Sequence, residues 1–193
     1  MTEHLPERIT DPKALRALSH PTRWKLIELL GLERTATATR CADFTGESVA
    51  SCSYHLNMLA KYGFVEQAEG GTGREKPWKL VKYDQSWETE GLEPEGQLAA
   101  EALTDVFLDY EVGRMKEASR RHDREPAEWR RHSRKSASTT FLTAQELAHV
   151  SGELRSILDR YGNRQEDPSQ RPPGSRAVRM FFATYFPPGS GTD

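Results

Sequence analysis

The sequence predicts a mainly α-helical chain with a small β component, an α+β architecture, and three observations carry that prediction. Apolar residues recur at helical spacing over residues 24–30, 52–60, 99–110 and 147–158. Capping residues and first-turn prolines precede several of these stretches. Two short strand-like runs flank a glycine-rich loop at residues 70–76. The chain has 193 residues and a mass of 21.9 kDa. That is room for one ordinary domain with a substantial extension, or for two small ones, and enough to bury roughly two-thirds of the unfolded surface.

Residues 1–10 are polar and unpatterned and read as a flexible arm. Asp11-Pro12 opens a first short helix, a capping carboxylate followed by proline at the first helical position, with Leu15 and Leu18 inward. His20-Pro21-Thr22 opens a second, whose Trp24, Ile27 and Leu30 keep helical spacing beside Leu26 and Leu29. A third, shorter helix is expected over residues 36–44, ending at Thr45-Gly46. Ser48 can cap a fourth, in which Cys52, Leu56, Leu59 and Ala60 form a buried stripe and Gly63 marks the stop. The period then changes. Phe64–Glu69 and Pro77–Tyr83 read as strands around the loop Gly70–Lys76, which is rich in residues that tolerate positive φ. Helices followed by a hairpin with a basic tip is the order of a winged helix-turn-helix domain, placed over residues 11–83.

Residues 84–136 read as a linker and a long dimerisation helix, Glu95 to about Glu125, some ~46 Å at 1.5 Å per residue. Its apolar face comprises Ala99, Ala102, Leu103, Val106, Phe107 and Tyr110, and all of these but Ala102 are the candidate dimer contacts. Residues 137–186 read as a C-terminal strand–helix–strand region. Ser138–Leu142 is the first strand, and the capping box Thr143-Ala144-Gln145-Glu146 opens a helix to about Tyr161. Ala177–Phe186 is the second strand, and residues 187–193 are a disordered tail.

The formal net charge of −2 excludes a polycation, though not a local basic footprint. Residues 11–83 hold eleven Lys and Arg against eight Asp and Glu, a net +3, the sign that suits DNA. Two cysteines are too few for a disulfide scaffold or a four-cysteine zinc site. No apolar run approaches the ~20 residues of a membrane span, and the N-terminus lacks a signal-peptide layout. A cytoplasmic protein without a membrane partner is expected.

Two motifs, Asp11-Pro12-Lys13 through Ser19-His20-Pro21-Thr22-Arg23 and Ser53-Tyr54-His55-Leu56-Asn57-Met58-Leu59 with Tyr62-Gly63-Phe64-Val65 behind it, resemble the opening helices and the recognition helix of ArsR-type winged-helix transcriptional regulators. The resemblance covers residues 11–83. It implies a homodimeric repressor that binds double-stranded DNA, with the fourth helix in the major groove and the wing on the flanking backbone or minor groove. The candidate DNA-contacting residues are Ser48, Val49, Ser51, Ser53, Tyr54, His55, Asn57 and Lys61 on that helix, and Arg74 and Lys76 on the wing. Each has a plainer reading. His55 can pack locally instead of meeting a phosphate, and the wing can be an ordinary solvated hairpin.

Some relatives of this type sense metals. Here Cys41 stands alone on the third helix, and the fifth helix carries no His in Asp105–Asp109, so neither common ligand pattern is present and no metal or cofactor is expected. Gly70-Gly71-Thr72-Gly73 lacks the ending and the helix that a phosphate loop needs. No nucleophile–base pair, carboxylate dyad or metal motif points to an enzyme. Residues 84–113 hold nine acidic residues and no basic one, while residues 114–135 hold nine basic and four acidic. That asymmetry fits a dipole-matched helix, antiparallel pairing of two copies, or a DNA footprint extended by Arg120, Arg121, Arg130 and Arg131. The C-terminal region is an ordinary core, a dimer interface or a pocket for a small-molecule effector of unassigned chemistry. The competing function is a winged-helix module that docks protein and not DNA.

Overall fold

The computed structural model describes residues 8–70 and 76–189. In chain order the helices are α1 (Pro12–Leu18), α2 (Pro21–Glu33), α3 (Ala38–Thr45), α4 (Val49–Lys61), α5 (Pro94–Arg121), α6 (Ala127–Arg130), α7 (Ala144–Asp159) and α8 (Asn163–Glu166). Three short strands, β1 (Thr35–Ala36), β2 (Val65–Gln67) and β3 (Trp78–Leu80), form an antiparallel sheet in the order β1-β3-β2. The fold is mainly helical with a small sheet.

Local chemistry sets these boundaries. Asp11 accepts the Lys13 amide at 3.0 Å ahead of Pro12. His20 caps α2 through its ring, Nδ1 accepting the Thr22 amide at 3.2 Å ahead of the Pro21 turn. Thr37 caps α3, which ends at Gly46 in the left-handed region, φ 76°, where glycine carries no side-chain penalty. Ser48 caps α4, taking the Ser51 amide at 3.1 Å. The third helix thus starts two residues later than expected, because β1 occupies residues 35–36, and two residues are too few to show a period.

One core serves the N-terminal region. Leu15 and Leu18 of α1, Leu26, Leu29 and Leu30 of α2, Cys41 of α3 and Cys52, Leu56 and Leu59 of α4 are at most 1% exposed. The apolar face of α5 joins the same cluster. Ala99 and Leu103 are buried, and Val106, Phe107 and Tyr110 are half-buried against it. The residues expected as dimer contacts thus pack against the core of their own chain. The reason is volume, since α1 has only seven residues and cannot close one side of the domain alone. Phe107 lies 4.8 Å from Trp24 and 5.2 Å from Trp87 between ring centroids. Trp87 in turn donates to Thr104 Oγ1 at 2.9 Å, which fixes the 84–93 linker on α5. Tyr110 donates to Glu28 of α2, and Arg114 pairs with the same carboxylate.

Other corrections concern the ends of the chain. The arm is anchored at its last residues, where the Ile9 amide donates to Ser86 O at 2.8 Å and Arg8 pairs with Glu88. Helix α5 stops at Arg121 and a single 3₁₀ turn, His122–Arg124, carries the chain to Pro126. Residues 138–142 and 177–186 carry no strand, because neither finds a ladder partner among the described residues. Helix α7 has the expected capping box, Thr143 with Glu146, but none of its residues is buried.

Candidate nucleic-acid interface

Helix α4 is held by its inner face and open on its outer one. Cys52, Leu56 and Leu59 fill the core, and Thr45 Oγ1 lies 3.4 Å from Cys52 Sγ at the turn between α3 and α4. Between these residues sits His55, only 7% exposed. Its Nδ1 accepts a hydrogen bond from Arg23 Nε at 3.3 Å, and its ring stacks at 4.4 Å on His20. Arg23 is itself buried and donates to the carbonyls of Arg16 and Ala17. The residues around His20-Pro21-Thr22-Arg23 thus fasten α1, α2 and α4 at one point.

Burial sets His55 apart from the exposed candidates for DNA contact. It faces α2, and burial lowers its imidazole below the usual range, with His20 and Arg23 lowering it further against Glu47. Its Nδ1 is already taken by Arg23 and the ring is almost wholly covered, which leaves little of it to reach a phosphate. Ser51 is half-buried, and its hydroxyl donates to Glu47 Oε2 at 3.2 Å. Ser48 is engaged as the cap, and Ser53 is half-buried.

The open face consists of Ala50, Tyr54, Asn57 and Lys61, all exposed and spaced four, three and four apart, one stripe of a helix. Val49 extends it at the N-terminal end. Ala50 is the residue sequence reasoning passes over, because an alanine gives no polar signal, although its methyl suits contact with a thymine methyl. Asn57 donates one amide hydrogen to Ser53 O at 2.8 Å, and its side chain is exposed. Aromatic, amide and ammonium groups on one exposed stripe can meet base edges, sugars and phosphates together.

Behind α4, the wing is set by the pairing Val65↔Leu80, Glu66↔Lys79 and Gln67↔Trp78. Val65, Trp78 and Leu80 bury on the core side, while Lys79 pairs with Glu66 at 2.9 Å. Lys76 is exposed at the base of the tip; Arg74 lies outside the described residues.

Cys41 and Cys52 form no disulfide, and both are fully buried. Among the described residues no group of three His, Cys, Asp or Glu side chains is placed to hold a metal ion, and no helix is long and apolar enough to cross a membrane. An open cleft of about 700 Å³ lies away from α4, between Trp87, Glu101, Asp105 and Phe186.

Residues 18–68, from the end of α1 through β2, match a family model described as a helix-turn-helix domain. No curated protein matches the chain.

Proposed function

We propose that this chain is a sequence-specific DNA-binding transcriptional regulator of the ArsR type, a repressor that binds a palindromic operator as a homodimer. The observation that carries the reading is the exposed stripe Ala50, Tyr54, Asn57 and Lys61 on a helix whose opposite face is locked to α2. Such a helix enters the major groove as a rigid body. The wing, with Lys76 and Arg74, follows onto the flanking backbone or minor groove, and binding over a promoter excludes polymerase.

The homodimer is supported by the face of α5 that the core leaves uncovered. Leu98, Leu108, Val112 and Met115 are exposed there, on the side opposite Ala99 and Leu103. Acidic Glu101 and Asp105 lie on that face in its first half, and Lys116 and Arg120 in its second. Antiparallel pairing with a second copy brings Glu101 opposite Arg120 and Asp105 opposite Lys116, twice over, about a midpoint beside Tyr110 and Glu111. Two winged helices related by that axis match a two-fold symmetric site.

Selection of genomic fragments by the purified full chain tests the proposal. Recovery of an inverted-repeat motif is the expected result. An absence of enrichment even at low salt contradicts it and leaves protein docking as the use of the winged helix.

A further inference from the structure

The joint beneath the N-terminal half of α4 contains a buried cation that, among the described residues, no carboxylate pairs with. Arg23 is 8% exposed, and its guanidinium donates to His55 Nδ1 and to the carbonyls of Arg16 and Ala17. From α1 the joint meets those carbonyls, since the Arg16 guanidinium is turned to Glu95. From α2 come His20 and Arg23, from the turn before α4 Glu47, and from α4 and its end Tyr54, His55 and Tyr62. Glu47 is the carboxylate that acts on both rings, and it already accepts the Ser51 hydroxyl.

The rings of His20 and His55 stack at 4.4 Å, and both use Nδ1 as an acceptor. His20 takes the Thr22 amide that starts α2, and His55 takes Arg23 Nε. With Nε2 protonated in each neutral ring, a further proton must go to Nδ1, where it destroys the bond that Nδ1 accepts. It also sets a second positive charge beside Arg23 in a site closed to water. Burial lowers both imidazoles, Arg23 adds to this at each, and His20 adds to it at His55.

We propose that proton uptake by the His20–His55 pair loosens α4 from α1 and α2, so that acid releases this chain from DNA. The proposal rests on the reading of α4 as the helix that contacts DNA. Tyr54 of the outer stripe meets the His55 ring edge-on at 5.3 Å, so the joint also sets where that stripe points. Leu56 and Leu59 keep the C-terminal half of α4 in the core, so the helix loosens without unfolding. The two rings act together. Once the joint opens, both return to the ordinary imidazole range near 6.5, and opening takes up two protons. Between pH 7.5 and 5.0 that uptake favours opening by up to about a thousandfold.

The test titrates the full chain against a duplex recovered from genomic fragments at pH 7.5, then repeats the titration down to pH 5.0 at constant ionic strength. Surface groups that gain protons make the chain more cationic and strengthen DNA binding, so a fall in affinity has the opposite sign to theirs. The wild type should bind more than about tenfold more weakly at pH 5.0, by more than tenfold per pH unit at the steepest point, with its helical circular dichroism retained. His20→Asn keeps a cap and His55→Gln keeps an acceptor for Arg23, and neither new side chain titrates. Each alone should reduce the dependence to that of one proton, and the double variant should bind at pH 5.0 at least as well as at pH 7.5. Should the variants not fold, the wild-type steepness decides, and a dependence on one proton or none overturns the proposal. So does affinity that holds in acid, that falls alike in the folded variants, or that disappears together with the helical signal. A chain that binds no duplex even at pH 7.5 fails the DNA reading itself, and the switch falls with it.

Discussion

Arg23 and His55 are joined by a 3.3 Å hydrogen bond from Nε to Nδ1, between the second helix and the helix proposed to read DNA. Both side chains are buried, so each is the other's substitute for water. A guanidinium Nε can only donate, so Nδ1 of His55 must accept and its proton sits on Nε2. His20 is constrained likewise, since its Nδ1 accepts the Thr22 amide. The orientation of α4 therefore depends on two neutral imidazoles.

Removing that acceptor should be costly. His55→Ala leaves Arg23 Nε buried without its partner and is expected to destabilise the fold by on the order of 1–3 kcal/mol. Chemical denaturation checks this: a variant as stable as wild type would show that Arg23 finds another acceptor.

Acid should weaken the same joint. Burial lowers both imidazoles, His20 and Arg23 lower His55 further, and Arg23 lowers His20. The folded state then takes up protons less readily than the unfolded one. Their contribution to stability is present above the unfolded value near 6.5 and is lost as pH falls through the lower folded values. Urea midpoints should be flat above about pH 7 and fall as pH drops below 6.5, before most carboxylates titrate. His55→Gln should flatten that fall, and an identical slope in the variant would locate the effect elsewhere.

The two faces of α5 should respond differently to the same substitution. Phe107→Glu places a charge against Trp24 and Trp87 and should unfold the N-terminal domain. Val112→Glu lies on the exposed face and should leave the circular dichroism spectrum unchanged while shifting sedimentation toward the monomer. A dimer undisturbed by Val112→Glu would show that this face is not the seam.

The periodicity of α4 is legible in the sequence because Cys52, Leu56 and Leu59 are apolar at helical spacing. His55 lies beside that stripe but is polar, and only its partner thirty-two residues away turns it inward. On α5 the stripe Ala99, Leu103 and Phe107 is equally legible, but a period identifies an apolar face and not the chain that covers it. The strand character of 177–186 is written in its composition, yet a strand exists only where a second one pairs with it.

Trp24 isolates one further term. Its indole Nε1 is buried without a hydrogen-bond partner, while its ring packs on Phe107 and Trp87. Trp24→Phe removes the unsatisfied donor together with part of the packing, and these oppose each other. Its destabilisation should be smaller than the ~3–5 kcal/mol typical of truncating a buried tryptophan to alanine. Equal losses for Trp24→Phe and Trp24→Ala would mean that the indole nitrogen is satisfied in solution.

The outer stripe of α4 is best tested by titrating wild type, Asn57→Ala, Lys61→Ala and Ser51→Ala against a selected duplex and a scrambled one at several salt concentrations. Asn57→Ala should lose about 1–3 kcal/mol on the selected duplex and little on the scrambled one, as a base-edge contact does. Lys61→Ala should weaken both and make the log affinity versus log salt slope shallower by about one, as a phosphate contact does. Ser51→Ala, with its hydroxyl already turned to Glu47, should change little. If Asn57→Ala and Lys61→Ala, correctly folded, both bind the selected duplex as wild type does, then this face of α4 does not read DNA.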